Sequence, residues 1–319
     1  MRETLVEAAA TVTATPAARL GHHRAVVIDD DGAPRFDLQS HSMRSDGTLE
    51  PAAVVAAAAA AGVRLLALTD HDTVDGVAEA LTAGAEHGVV VVPAVEISTV
   101  DELGEDFHVL GYCVDHTDPV LGAALARWRA DRAARIDRMA DQLTLLGLPP
   151  DPTEIEARRA AGLPVGRPHL ANAVIEAHGE RLRADGLDEC SAFLEAYLCN
   201  GRPAYSRRTT PTVPEAIDAI HAAGGVAVWA HPFWDLAGDD DVIGALERFG
   251  AAGLDGVEAF YATHDADQTR LLCASAARLG LLTTGSADFH GPQHSRFSRF
   301  RAFELHGCAP RLGPIAAVG

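Results

Sequence analysis

Two stretches decide the fold: Asp37-Leu-Gln-Ser-His41-Ser, continuing to Ser45-Asp46-Gly47, and Val63-Arg-Leu-Leu-Ala-Leu-Thr-Asp70-His71-Asp72. In each stretch a short run of β-competent residues ends abruptly in aspartate and histidine, so these polar side chains fall where a strand gives way to a loop. An alanine-rich segment lies between them, opened by Pro51 and closed by Gly62, and it predicts a helix. The order is therefore strand, helix, strand, with polar side chains at the strand ends.

The same alternation continues along most of the chain, with one interruption. Further strands are predicted at 89–97, 107–114, 225–230, 254–260 and 281–285, and helices at 74–87, 214–223, 241–252 and 265–279. Between 116 and 205 the pattern is instead that of amphipathic helices alone, predicted at 121–146, 152–161, 168–178 and 188–198.

Repeated strand–helix units on both sides of this helical segment predict an α/β protein with a parallel sheet. About seven strands favour closure as a TIM-like (β/α) barrel built from residues 35–115 and 206–319, with 116–205 as a helical insertion or cap. Residues 1–34 are predicted to be an N-terminal lead-in. A long doubly wound sheet is the alternative.

The composition limits the kinds of molecule that the protein is expected to bind. A net charge of -19 over 319 residues repels a long nucleic acid. A small phosphorylated substrate stays compatible with that charge, because bound divalent cations would invert it locally. The alanine-rich apolar run that includes 54–61 is too short to cross a bilayer, which predicts no membrane association.

The cysteines and the N-terminal residues indicate in which cellular compartment the protein is expected. The five cysteines are scattered without a CxxC pair, which argues against a disulfide framework and favours a reducing compartment. Residues 1–20 contain Glu3 and Glu7 and no continuous hydrophobic centre, so a frayed leader is expected there and not a signal peptide. We therefore predict a cytoplasmic protein.

Polar side chains recur at the predicted strand ends. They are Asp37, Gln39, His41, Asp46, Asp70, His71, Glu96, His108, His231, Asp288 and His290. Because the carboxyl ends of parallel strands lie at one rim of a barrel, we expect these residues to converge. A single histidine at a strand end is more often a hydrogen-bonded structural residue, so the recurrence is what favours a site.

Histidine with carboxylate, and no thiolate, suits divalent ions such as Zn²⁺, Mn²⁺ or Fe²⁺. Bridging carboxylates hold two such ions roughly 3.5 to 4 Å apart, where they generate hydroxide and support in-line displacement at phosphorus. Hydrolysis of a phosphate ester is the predicted reaction.

Several motifs together resemble those of the PHP (polymerase and histidinol phosphatase) family. They are the stretches already quoted and Val92-Pro-Ala-Val-Glu96, Phe107-His108, Ala230-His231-Pro232 and Gly285-Ser-Ala-Asp288-Phe-His290. Within that family the chain is most similar to bacterial stand-alone metal-dependent phosphoesterases that act on nucleotides. The resemblance extends from Asp37 to Gly291 and implies a distorted seven-stranded barrel with two or three divalent metal ions.

The resemblance also implies a ligand set. One ion would be held by Asp46, His71 and His290; a second by Glu96, His108 and His231, with Glu96 bridging; and a third by Gln39, His41, Glu96 and Asp288. The chain departs from the family at Gln39, where the family has histidine. An amide oxygen is a weaker ligand for a transition metal than an imidazole nitrogen, so the third site is expected to bind loosely or to be absent.

The insertion contains Gly166-Arg167-Pro-His169, which resembles an Arg-x-His segment of the family that lies over the metal site. Arg167 would grip a phosphate bidentately, and His169 would bind it or protonate the leaving oxygen. The alternative is that Arg167 pairs with an acidic helix. Arg202 and Tyr205 are candidates for further substrate contacts, although we prefer a structural role for both.

The leading hypothesis is a metal-dependent phosphohydrolase that releases phosphate from a nucleoside monophosphate or a 3′,5′-bisphosphate by attack of a metal-bound hydroxide. A second hypothesis keeps the site but makes the substrate a phosphodiester, either the 5′ end of a short RNA or a cyclic phosphate. A third is a degenerate barrel that binds a nucleotide without activity, with Gln39 as an early sign of decay.

Overall fold

The computed structural model describes residues 28–29, 32–101 and 106–318. Most of the predicted lead-in, including the expected frayed leader, lies outside these residues. The strands within the described residues are β1 (Phe36–Asp37), β2 (Leu65–Leu68), β3 (Val90–Val100), β4 (Asp106–Tyr112), β5 (Val226–Trp229), β6 (Gly256–Tyr261) and β7 (Leu282–Ser286). They form one seven-stranded sheet in chain order.

Helices occupy the connections. They are α1 (Pro51–Ala60), α2 (Val77–His87), α3 (Pro119–Leu145), α4 (Pro152–Ala160), α5 (Arg167–Ala184), α6 (Cys190–Phe193), α7 (Val213–Ala222), α8 (Pro232–Asp235), α9 (Asp239–Ala251) and α10 (Ala266–Leu279). A π-helical turn, Leu194–Leu198, continues α6, and a 3₁₀ helix, Gly313–Ala317, lies near the C-terminus. The short helix α8 and the 3₁₀ helix were not predicted.

The sheet closes on itself between its first and last strands. Leu38 N donates to Gly285 O at 3.1 Å, and Ser40 forms a parallel bridge with Phe289 just beyond the strand ends. These contacts confirm the α/β, seven-stranded (β/α) barrel and exclude the open doubly wound alternative.

One strand runs against the others. The pairs β1–β2, β2–β3, β5–β6 and β6–β7 are parallel, whereas β4 is antiparallel to both β3 and β5. The prediction of a wholly parallel sheet was therefore wrong. The reason is the connection between β3 and β4: residues 101–105 are too few for the crossover that a parallel pair requires.

The reversal of β4 has a direct effect on the site. The amino end of β4 lies at the rim where the parallel strands have their carboxyl ends. His108 is near the beginning of β4 and pairs in register with Ser98 of β3, so it still reaches that rim. The predicted convergence holds although the assumed strand direction did not.

The main core lies between the sheet and the surrounding helices. Phe107, Trp229 and Phe249 meet edge to face, with ring centroids 5.1 to 5.7 Å apart. A second apolar cluster, which includes Ile136, Met139, Leu170 and Phe193, is formed within the helical segment. The assignment of 116–205 as an insertion with its own boundary stays a prediction.

Across the described part of the chain, every helix is either too short or too polar to span a lipid bilayer.

Candidate metal centre

The loop after β1 is organised by a carboxylate from the end of β2. Asp70 accepts hydrogen bonds from Ser42 N at 2.7 Å, from Ser42 Oγ at 2.6 Å and from Ser45 Oγ at 2.6 Å. Its oxygens are thus occupied in holding the turn that carries Asp46. Asp70 was one of the predicted polar residues, and the structure places it behind the centre.

Asp37 does the same for the loop after β7. It accepts from Ala287 N at 2.9 Å and from Arg301 N at 2.7 Å. This loop carries Asp288 and His290, and Asp288 has a left-handed backbone with φ of 53°. His290 Nδ1 donates to Asp288 O at 2.7 Å, which leaves Nε2 as the acceptor nitrogen, 3.5 Å from Asp46 Oδ1.

The predicted residues converge at the rim. Ligand atoms lie within 4.8 Å of one another in three overlapping groups, which are His41, Asp46, His71 and His290; His71, Glu96 and His108; and His41, Glu96 and Asp288. The first group contains the predicted set Asp46, His71 and His290 with His41 in addition. Residues separated by more than 200 positions in the sequence thus meet in one place.

Glu96 is at the middle of the centre and is fully buried. Its Oε1 lies 2.5 Å from His108 Nδ1 and 3.4 Å from His231 Nε2. Its Oε2 lies 3.1 Å from His41 Nε2 and 3.7 Å from His71 Nδ1. A carboxylate with imidazoles on both oxygens has the arrangement of a bridging ligand.

Gln39 is oriented differently from the other predicted ligands. Its Nε2 donates to Glu96 Oε2 at 2.9 Å, and its Oε1 lies 3.3 Å from Ser286 Oγ. In this orientation the amide supports Glu96 and directs its oxygen towards Ser286. Its role as a metal ligand stays a prediction that these contacts do not favour.

Several buried ligand atoms face one another at short range without forming a well-aligned hydrogen bond. They are His41 Nε2, His71 Nδ1, His108 Nδ1 and Asp288 Oδ1. Buried polar atoms nearly always have a partner, so a cluster of such atoms calls for one. Imidazole nitrogens and carboxylate oxygens without thiolate are the donors preferred by borderline divalent ions. The residues present therefore fit divalent metal ions.

The electrostatics of the centre favour the ligand forms of Glu96 and His71, whereas the neighbouring carboxylates outweigh burial and raise the pKa of His41 well above its usual value. Burial by itself raises the pKa of Glu96, but the imidazoles of His71, His108 and His231 outweigh it and hold the pKa well below the usual range. Burial lowers the pKa of His71 to about 3, in spite of the attraction of Glu96 and Asp46. An ionised carboxylate and a neutral imidazole are the states that bind a cation.

A layer of polar residues beneath the centre was not predicted. Glu258 in β6 is fully buried and accepts from His231 N at 3.0 Å and from Ser286 Oγ at 2.6 Å; burial raises its pKa to about 8. Tyr261 donates to Asp288 Oδ2 at 2.8 Å. The available signal was an acidic residue inside the otherwise apolar run 256–260.

The helical segment contributes His169, which is buried at the first turn of α5. Its Nδ1 accepts from Gly166 N at 3.0 Å, so the proton of the neutral ring is on Nε2. Burial and the charge of Arg158 lower the pKa of His169 to about 4, against the attraction of Asp46. His169 is therefore a neutral hydrogen-bond donor near Asp46.

The charge of Arg158, also in the helical segment, acts on His169. Arg158 in α4 donates to Ser45 O and to Pro164 O, the latter at 3.1 Å, and its charge acts on Asp46. Sequence reasoning missed Arg158, because nothing distinguishes it from Arg159 in a polar helix. Arg167 is half-buried at the first residue of α5.

The other two candidates from this segment are less closely tied to the centre. Arg202 has an exposed side chain in the loop before α7. The ring of Tyr205 lies under the guanidinium of Arg135, 5.3 Å from its centroid, which agrees with the structural role we preferred for Tyr205.

The long helix α3 docks beside the centre through two arginines. Arg132 Nε lies 3.2 Å from Asp72 Oδ2, and Arg132 Nη2 donates to Ser98 Oγ at 2.6 Å. Arg129 donates to Asp72 O at 2.7 Å. Because Asp72 directly follows His71, these contacts couple the position of the helical segment to the loop that carries His71.

The chain is similar in sequence to known proteins. The family model of the PHP domain matches residues 37–141. A 5′-3′ exoribonuclease from Haemophilus influenzae is 36% identical over 259 residues, which cover 81% of this chain and 90% of that protein. A 3′,5′-nucleoside bisphosphate phosphatase from Chromobacterium violaceum is 32% identical over 81% of this chain and 87% of its own length.

The fold is also found in a solved structure. An amidohydrolase from Chromobacterium violaceum, with bound sulfate and no metal, superposes with a TM-score of 0.76 at 30% identity, covering 89% of this chain and 96% of that chain. Together with the converging histidines and carboxylates at one rim of a seven-stranded barrel, these relatives show that the chain belongs to the PHP domain family.

Proposed function

We propose that the protein is a metal-dependent phosphohydrolase that releases inorganic phosphate from small nucleotides, either nucleoside monophosphates or 3′,5′-bisphosphates. The observation that carries the proposal is Glu96, a buried carboxylate with imidazoles on both oxygens, inside a cluster of buried donor atoms that are not paired in well-aligned hydrogen bonds. Such a centre is suited to holding cations and to acting on an anionic substrate.

The proposed ligands overlap the three groups in the structure, except that the second set has His231, 3.4 Å from Glu96, in the place of His71. Asp46, His71 and His290 would hold one ion, Glu96, His108 and His231 a second, and His41, Glu96 and Asp288 a third, with Gln39 adjacent to it. Bound divalent ions would supply Lewis-acid stabilisation of the charge that develops on the phosphoryl group and would lower the pKa of water. We propose Mn²⁺, Zn²⁺ or Fe²⁺ on the strength of the donor set.

The residues of the helical segment would bind the phosphate. His169 is buried beside Asp46 with its proton on Nε2, which suits donation to a phosphate oxygen. With a pKa of about 4, the imidazole is neutral near pH 7 and a poor source of a proton for the leaving oxygen. We therefore assign phosphate binding to His169, together with Arg167 and Arg158, whose guanidinium groups match phosphate geometry.

Small nucleotides are preferred as substrates for two reasons. The Chromobacterium violaceum relative is named for a nucleoside bisphosphate, and the chain carries a net charge of -19, which disfavours a long polyanion. A cytoplasmic location remains our prediction from the scattered cysteines.

A second candidate is a 5′-3′ exoribonuclease acting on short RNA, favoured by the name of the Haemophilus influenzae relative. The same centre would serve a phosphodiester, because the chemistry at phosphorus is shared. The products separate the two: free phosphate indicates a monoesterase, and mononucleotides from oligomers indicate a nuclease.

The experiment is a phosphate-release screen with Mn²⁺-loaded protein on nucleoside monophosphates, nucleoside 3′,5′-bisphosphates and a short RNA. We expect phosphate from the mononucleotides, its loss in His71→Ala, and its retention in the control His221→Ala, which pairs with Asp255 outside the centre. A loaded protein that leaves every compound intact would contradict the proposal and favour the degenerate, nucleotide-binding barrel.

A further inference from the structure

An exposed aromatic residue lies at the edge of the metal centre. Trp234, in the short helix α8, has 49% of its surface exposed. It is the one aromatic among the strongly exposed large apolar side chains of the described residues, the others being Met43, Val120, Leu145 and Leu146. A half-exposed tryptophan is a frequent feature of binding surfaces, because its ring offers a large rigid contact area.

Trp234 borders residues of the centre on two sides. Its ring centroid is 6.5 Å from that of His231 and 5.8 Å from that of Phe297. Phe297 is in turn 5.7 Å from the ring of His290. His231 and His290 belong to different proposed ligand sets, so Trp234 and Phe297 together form a shelf along the rim of the centre, in which Trp234 is the exposed ring and Phe297, 8% exposed, supports it from behind.

The backbone holds Trp234 at this place. His231 has a left-handed conformation with φ of 31°, which is unusual for a residue other than glycine, and it turns the chain into α8. Trp234 N donates to His231 O at 2.9 Å. The same turn therefore positions the proposed ligand and the exposed ring.

The shelf carries positive charge in an acidic protein. The guanidinium carbon of Arg296 lies 5.3 Å from the centroid of the Trp234 ring, a cation–π arrangement. A cation at this point attracts an anionic ligand and leaves the exposed part of the ring to an apolar or aromatic group.

We propose that the shelf of Trp234, Phe297 and Arg296 stacks the nucleobase of a nucleotide whose phosphate lies at the metal centre. The inference rests on the proposed function and deepens it. Every base has a π-face, so stacking selects nucleotides over sugar phosphates without a base, and it discriminates little among the bases.

Tryptophan fluorescence tests binding independently of phosphate release. The chain has three tryptophans, and Trp128 and Trp229 are only 5% and 0% exposed, so a change on stacking reports Trp234. We expect quenching by adenosine 3′,5′-bisphosphate, none by ribose 5-phosphate at the same concentration, and no quenching in Trp234→Phe. Equal quenching by both compounds, or quenching that persists in Trp234→Phe, would overturn the proposal.

Steady-state kinetics test whether the enzyme selects nucleotides over sugar phosphates. The readout is the ratio of kcat/KM for adenosine 5′-monophosphate to kcat/KM for ribose 5-phosphate. Trp234→Ala is expected to lower this ratio by roughly fivefold or more, chiefly through KM of the nucleotide. Trp234→Phe should restore most of it.

Two variants keep the kinetic test decisive. Leu145→Ala removes another exposed apolar side chain, 87% exposed at the end of α3, and should leave the ratio unchanged. If Trp234→Ala fails to fold, Trp234→Leu removes the π-face and keeps most of the volume, and the same fall in the ratio is expected. A ratio that is unchanged in a folded Trp234→Ala or Trp234→Leu would contradict the shelf.

Failure of the shelf and failure of the proposed function give different results. Phosphate release with an unaltered ratio contradicts the shelf alone. Fluorescence quenching by the nucleotide without any phosphate release supports the shelf and contradicts the hydrolase.

Discussion

Gln39 donates its side-chain amide to Glu96, with Nε2 2.9 Å from Oε2. Further polar contacts connect Gln39 to the residues below the centre. Ser286 Oγ lies 3.3 Å from Gln39 Oε1 and donates to Glu258 Oε1 at 2.6 Å. At the position where the family has histidine, this chain therefore ties the central carboxylate to the polar layer beneath the centre. In this arrangement Gln39 orients Glu96, and its assignment as a metal ligand stays a prediction.

Gln39→Leu should weaken metal binding, because it leaves Glu96 Oε2 without the amide that orients it. Loss of a hydrogen bond to a metal ligand typically costs about 10- to 100-fold in metal affinity. The measurement is a Mn²⁺ titration of stripped protein in competition with a chelating dye. Gln142→Leu in α3 serves as the matched control. If Gln39→Leu bound Mn²⁺ with wild-type affinity, the amide would have no role in metal binding.

The stability of the metal-free protein should depend on pH through Glu258. Burial raises its folded-state pKa from 4.5 to about 8, so its contribution to stability is fully present below pH 4.5 and is lost as pH rises through about 8. The expected loss is roughly 3 to 5 kcal/mol across that window.

Glu258→Gln has no proton to lose and should be less sensitive to pH than the wild type. Urea unfolding at pH 5 and pH 8, in the presence of a chelator, gives the free energy of unfolding for both proteins. The difference between the two pH values should be smaller in Glu258→Gln. The same difference in both proteins would show that Glu258 titrates normally.

His169→Ala should impair substrate binding and spare metal binding. A hydrogen bond to a charged group contributes about 1.5 to 3 kcal/mol, which corresponds to roughly 10- to 100-fold in kcat/KM. Because the pKa of His169 is about 4, its contribution should not vary between pH 6 and 8. Steady-state kinetics at both pH values and metal analysis of the variant check this.

His178→Ala is the control for His169→Ala, since His178 is on the same helix and its Nε2 bonds Pro149 O. A His169→Ala variant that loses its metal ions would place His169 among the ligands. A variant with unchanged kcat/KM would remove it from the site.

The sequence allowed much of the barrel to be predicted, since each strand–helix unit has its own apolar run and its own turn residues. The direction of β4 was missed because it depends on the length of one connection and leaves no mark on the strand itself. His108 was nevertheless placed at the correct rim, because a residue near the start of a reversed strand lies where other strands end.

The proposed ligand residues could be predicted from the sequence for a different reason. Aspartate and histidine at the end of a buried strand are easily noticed. Glu258, Arg158 and Trp234 were not, since each is an isolated residue in its own segment and its role depends on contacts made by distant parts of the chain. The orientation of Gln39 likewise follows from Ser286, which is 247 positions away.

The most direct measurement of the central claim is the metal content of the purified protein by mass spectrometry, compared with that of His71→Ala. Ligand atoms from distant parts of the chain lie within 4.8 Å of one another in each group, and His71 belongs to two groups. We expect about two divalent ions per chain in the wild type and a clear loss in the variant. A wild-type protein that stays far below one ion per chain in the presence of Mn²⁺, Zn²⁺ and Fe²⁺ would contradict the account.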